Sequence, residues 1–87
     1  MMIPTVHNNG TGAESLLKAL REAMGSLRKT IEDAGQVYPN GRDYYVQGPD
    51  AIGLAMAEHA ARVERLRSVL SEWEAIARDV YKQKGTD

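Results

Sequence analysis

The sequence predicts an all-α fold: a two-helix antiparallel hairpin with a short N-terminal extended segment, assembling as a homo-oligomeric helical bundle. Three observations carry this. Apolar residues recur at steps of three and four through 17–34 and again through 52–80, the period of a buried helix face. Gly35 and Gly48-Pro49 punctuate the stretch between those runs, as helix ends and starts do. A chain of 87 residues has room for one small hydrophobic core and not for two, so residues 1–87 form a single domain.

The N-terminal residues 1–10 hold the short apolar run Met2, Ile3 and Val6, broken by Pro4, and pass into the turn-forming His7-Asn8-Asn9-Gly10. The first helix is expected over about 12–34. Thr11 and Glu14 have the spacing of a capping box, in which the hydroxyl accepts from an amide three residues on and the carboxylate reaches back. Leu17, Leu20, Met24, Leu27, Ile31 and Ala34 then form one face, widened by Leu16 and Ala23. Gly35 is expected to end the helix in the left-handed conformation, which costs glycine nothing.

A loop is expected over 36–48 and the second helix over about 49–82, with Pro49 in the first turn, where its missing N–H is no loss, and Asp50 adding a favourable charge there. Ile52, Met56, His59, Val63, Leu66, Leu70, Trp73, Ala77 and Val80 repeat without a break, the seam of helices that pack nearly parallel. The closing KQKGTD reads as a frayed polar tail. At about 1.5 Å per residue the helices would be about 35 Å and about 50 Å long. The surplus is assigned to the C-terminal end of the second helix, around Trp73, Ile76, Val80 and Tyr81, covered in part by Met2, Ile3 and Val6. Two helices bury too little apolar surface to offset the entropy of ordering them, which is the reason for expecting copies of the chain to assemble.

Composition narrows the function. Apolar residues at 43% and charged residues at 26% are the balance of a folded globular chain. No window has the roughly 20 apolar residues of a bilayer span, and the start lacks the layout of a signal peptide, so a cytoplasmic location is expected. The absence of cysteine excludes disulfides, thiolate metal sites and a cysteine nucleophile. A formal net charge of −1 gives no general attraction to bulk nucleic acid. No metal set, cofactor motif or catalytic constellation is recognised: His59 lies on the seam as a core residue, and a Walker lysine is missing after Gly12. The chain is therefore expected not to be an enzyme.

Two polar clusters remain as candidate sites. The loop gathers Tyr38, Tyr44 and Tyr45, three of the 4 tyrosines. Tyr44 or Tyr45 offers a flat ring for stacking on a base. Arg42 offers a planar fork for phosphate. Asn40-Gly41 permits a tight turn, Asp43 and Gln47 add polar groups, and the following helix N-terminus favours an anion. The plainer alternative is that Asn40-Gly41 is only a turn, the tyrosines plug the end of the bundle and Arg42 pairs with Asp43 or a neighbouring carboxylate. The second cluster is His7, Asn8, Asn9 and Thr11. In one hairpin it lies at the other end of the first helix, so it can join the loop only across a subunit boundary. Arg62 and Arg67 flank the seam and read mainly as a solvated face with neighbouring glutamates, with use at an interface or ligand site left open.

The segment TVHNNGT, the junction YPNGRDYYVQGP and the two helices around it resemble small proteins encoded by tailed phages and prophages. The layout is also similar to phage anti-defence sponge proteins, oligomeric helical hairpins that sequester cyclic nucleotide signals, and Pro39 and Arg42 match a proline and an arginine between their helices. The long loop with its tyrosine pair departs from them. The resemblance implies a binding protein without turnover, holding a nucleotide-like ligand (a cyclic nucleotide or ADP-ribose derivative) between subunits. Arg42 would take phosphate, and His7, Asn8 and Asn9 would close the site from a neighbouring chain. The rival expectation is an inhibitor or adaptor of a host or virion protein that acts through its helical surface around Trp73 and Tyr81.

Overall fold

The computed structural model describes residues 1–85. Among them are two long helices, α1 at Ala13–Ala34 and α2 at Ala51–Lys84, with three short 3-10 turns between them at Gly35–Val37, Gly41–Asp43 and Tyr45–Gln47. No strand occurs among the described residues. The molecule is a rod of 61 × 20 × 18 Å with a radius of gyration of 18.9 Å, against about 12 Å for a compact chain of this length. Such elongation leaves little interior. Leu17, Met24 and Val80 are the buried apolar side chains, and His59 is the buried polar one.

Periodicity located the packed faces well. Around Leu17 and Met24, α1 half-buries Leu16, Leu20, Ala23, Leu27, Ile31 and Ala34. On α2 the seam runs through His59, Val63, Leu66, Leu70, Trp73, Ala77 and Val80. Met56 departs from it at 38% exposed, and Ala55 is half-buried instead because the loop packs beside it.

The helices run antiparallel, tied by ion pairs from Lys84 to Glu14 and from Arg28 to Glu74, the latter at 3.3 Å. These pairs set α1 against the C-terminal part of α2, so the surplus length lies at the N-terminal turns of α2 and not at its C-terminal end, as the lengths alone had suggested. The connection explains the reversal. Its 3-10 turns lay Tyr44 and Gln47 beside Ala51, Leu54 and His59, so the loop, not α1, lies along those turns, with Leu54 still 64% exposed.

Each helix end also differs from the capping pattern. The N-cap of α1 is Gly12, extended at φ −66° and ψ 152°, with no side-chain cap bond. Thr11 lies one residue outside, and Glu14 bonds Lys84 across the hairpin, so no capping box forms. Gly35 is right-handed at φ −60° and the chain tightens into a 3-10 turn. The positive φ is at Gly48, 118°. Pro49 precedes the N-cap Asp50 instead of occupying the first turn.

The polar tail is also more ordered than expected. Lys82–Lys84 continue α2, while Thr86 and Asp87 lie outside the described residues. Gln83 ties down the N-terminal segment: its Oε1 accepts from the Val6 N–H at 2.7 Å, and its Nε2 donates to the Pro4 carbonyl at 2.8 Å and to Asp79 Oδ1 at 2.7 Å. Of the three apolar residues expected to cover this end, Val6 is half-buried, while Ile3 is 38% and Met2 91% exposed.

Candidate functional site

The two candidate clusters fall at opposite ends of the rod. At the N-terminal end, the His7 carbonyl accepts from the Gly10 N–H at 3.2 Å and His7 Nδ1 accepts from the Asn9 N–H at 3.3 Å. The imidazole lies over Gly10, where an added Cβ would come within 2.8 Å of Nε2, so a larger residue there would push the exposed ring aside. His7, Asn8, Asn9 and Thr11 are all exposed. They make a turn bonded to itself, remote from the loop within one chain.

In the loop, Asn40 Oδ1 accepts from the Arg42 N–H at 2.9 Å and from Arg42 Nε at 3.4 Å. It caps the turn at Gly41–Asp43 and folds the guanidinium back onto itself. Arg42 and Asp43 are exposed, and Tyr45 is 74% exposed. Tyr44 is half-buried. The turn Tyr45–Gln47 follows it, and Gln47 N–H donates to the Tyr44 carbonyl at 2.9 Å. These turns set Tyr44 inward and Tyr45 outward, which separates the tyrosine pair into one packed ring and one free ring.

Between this loop and α2 lies a groove of about 260 Å³, lined by Pro39, Tyr44, Gln47, Glu58, His59 and Arg62 among others. Arg62 reaches Glu58 at 3.4 Å, with both side chains more than half exposed, so the guanidinium keeps donors available to solvent or a ligand. His59, 7% exposed, meets Tyr38 edge to face at 5.3 Å and 80°, a favoured aromatic geometry. His59 also lines a second groove of about 330 Å³ with Tyr38, Val63 and Arg67. A third, about 350 Å³, lies between the helices with Leu17, Met24 and Ala77 at its floor and Arg21, Arg78 and Lys82 around it.

Of the loop residues singled out by sequence, Tyr44 and Gln47 thus converge on one groove. Asn40 supports the turn, while Arg42, Asp43 and Tyr45 line none of the three grooves. The cation at the Tyr44 groove is Arg62. Its signal was present, since it stands three residues after the seam residue His59 and hence on the flank beside it, but the i,i+4 glutamate made it read as surface. Glu58 and Pro39 were missed as lining residues for want of knowing where the loop lies. Comparison with family models, with curated proteins and with solved structures gives no match to this chain. No described helix is long and apolar enough to cross a membrane.

Proposed function

We propose that this chain is a binding protein without turnover that sequesters a small nucleotide-like anionic ligand, a cyclic nucleotide or ADP-ribose derivative, in the groove beside Tyr44. The observation that supports the reading is the convergence of Tyr44, Gln47, His59 and Arg62 on that groove. A half-buried ring offers a stacking face, an amide offers a base-edge contact and a guanidinium offers two donors to a phosphate. Arg62 takes the anion-holding role first given to Arg42, which lines none of the three grooves. A phage anti-defence role in the host cytoplasm follows if the ligand is an immune signal, and it rests on the resemblance of the sequence to sponge proteins.

A thermal-shift panel of cyclic di- and trinucleotides and ADP-ribose derivatives tests this, because a ligand that binds the folded state raises the melting temperature by mass action. At least one member should stabilise the wild type. Arg62→Ala should weaken that ligand about tenfold to a hundredfold, the size of a lost charge-assisted hydrogen bond, while Arg42→Ala should bind as wild type. No shift across the panel, or equal binding by Arg62→Ala, overturns the reading. The rival, an adaptor or inhibitor that works through its helical surface, is favoured by the apolar side chains left in solvent, with Leu54 and Tyr81 each 64% exposed.

A further inference from the structure

One row of α2 residues runs the length of the rod at steps of three and four: Ala55, Glu58, Arg62, Leu66, Val69, Trp73, Ile76, Val80 and Gln83. Its two ends are covered by non-helical chain. Ala55, Glu58 and Arg62 line the groove under the loop, Gln83 holds the N-terminal segment, and Val80 beside it is 0% exposed. The middle of the row is covered on one side alone, where Leu66 and Trp73 also belong to the seam against α1. Leu66, Trp73 and Ile76 are half-buried and Val69 is 39% exposed.

On α1, the row Leu16, Leu20, Ala23 and Leu27 is also half-buried, and it lies on the flank away from the groove that Arg21 borders. In an antiparallel pair of right-handed helices these two rows fall on the same side of the hairpin. They form one apolar face with no charged residue between Arg62 and Gln83 on α2 or between Leu16 and Leu27 along the α1 row.

We infer that a second copy of this chain packs on this face, turning two hairpins into a four-helix bundle. Completing the face is a condition of folding, because a hairpin that buries only Leu17, Met24 and Val80 among its apolar side chains has too small a core to stand alone. The partner must then be present wherever the chain is made, and a second copy always is. Charge points the same way. The opposite side carries Arg21, Arg78 and Lys82 around its groove and would set like charges together in a self-complementary contact, whereas the uncharged face has no such cost. The stretch of the row from Arg62 to Val80 is about 27 Å long at 1.5 Å per residue, and on a rod 20 Å wide it offers on the order of 500 Å² per partner, or about 1,000 Å² in total, the least a specific interface needs. Because Arg62 begins the exposed stretch of the row, the second copy borders the mouth of the Tyr44 groove. The interface stands independently of any ligand there.

Sedimentation of the full chain at micromolar concentration, with acrylamide quenching of Trp73, the single tryptophan, tests the inference. The wild type should sediment at a multiple of the monomer mass with Trp73 shielded. Val69→Glu should weaken self-association at least tenfold or unfold the chain, and Ser71→Glu, on the opposite flank of α2, should leave mass and helicity unchanged. A helical wild-type monomer at that concentration overturns the inference. So does an oligomer in which Trp73 is freely quenched, or one disrupted by Ser71→Glu and not by Val69→Glu. Should Val69→Glu simply unfold, the wild-type mass and the Trp73 quenching decide.

Discussion

The two ends of the rod are closed by different physics. At the N-terminal end, Pro4–Val6 lie along α2 through directional bonds to one glutamine, and the most buried side chain of the molecule, Val80, sits next to that tie. At the loop end, the 3-10 turns are held chiefly by their own short-range bonds. They rest on α2 through Tyr44 while leaving Val46 and Tyr45 in solvent at 77% and 74% exposed. The first end is a clasp in which the polar groups of Gln83 hold the N-terminal backbone. The second keeps donors and a ring at a groove, which is why a ligand is sought there and not around His7.

The comparison breaks most readily at Gly48. Its φ of 118° with ψ of 165° belongs to a region that side chains other than hydrogen avoid, and an added Cβ would meet nothing within 4 Å. The cost of Gly48→Ala is therefore backbone strain alone, about 2 kcal/mol, or relief of it by moving the loop off α2. Urea unfolding at fixed protein concentration should show the loss, and the Tyr44 groove should lose any ligand binding. Wild-type stability in Gly48→Ala would mean the loop is not held as described.

A smaller effect is expected at the clasp. Gln83→Ala removes the partners of the Val6 N–H and the Pro4 carbonyl, two groups that water can then reach, so the cost should be about 1 kcal/mol. Hydrogen exchange at the Val6 amide should accelerate while the amides of α2 up to Ala77 keep their protection. Unchanged exchange at Val6 would show that the segment is held by something other than Gln83.

How much of this was legible follows from the range of the forces involved. The faces of both helices, including the seam position of His59 and the half-buried Leu16 and Ala23, follow from local period and appear as read. The alignment of α1 with the C-terminal part of α2 does not, because it depends on where a long loop chooses to lie, and nothing local to Trp73 or Ile52 encodes that. The capping box at α1 is lost because Glu14 had a local partner in Thr11 and a distant one in Lys84, and the distant charge won. At the site, Tyr44 and Gln47 were legible as types, but Tyr44 and Tyr45 could not be told apart until the turns gave each its direction. Arg62 was named with its use at a ligand site left open, because its sequence neighbours explain it adequately as surface.

Glu14 gives the finest comparison of the two ends, through pH. The Lys84 ammonium, by hydrogen bond and by charge, with a further contribution from the Arg21 charge, holds the Glu14 carboxyl below its ordinary value. A carboxyl whose folded value is depressed contributes stability that is complete above its unfolded value and is lost as pH falls through the folded one. Acidification below the ordinary value of 4.5 should therefore loosen the clasp end. The effect will be the smallest of the set, since both side chains are about half exposed or more and solvent screens such pairs strongly. An NMR titration of the Glu14 carboxyl should give a midpoint below the ordinary range in the wild type and a return towards it in Lys84→Met. Identical midpoints in the two proteins would show that Lys84 spends its time in solvent and does not tie α1 to the end of α2.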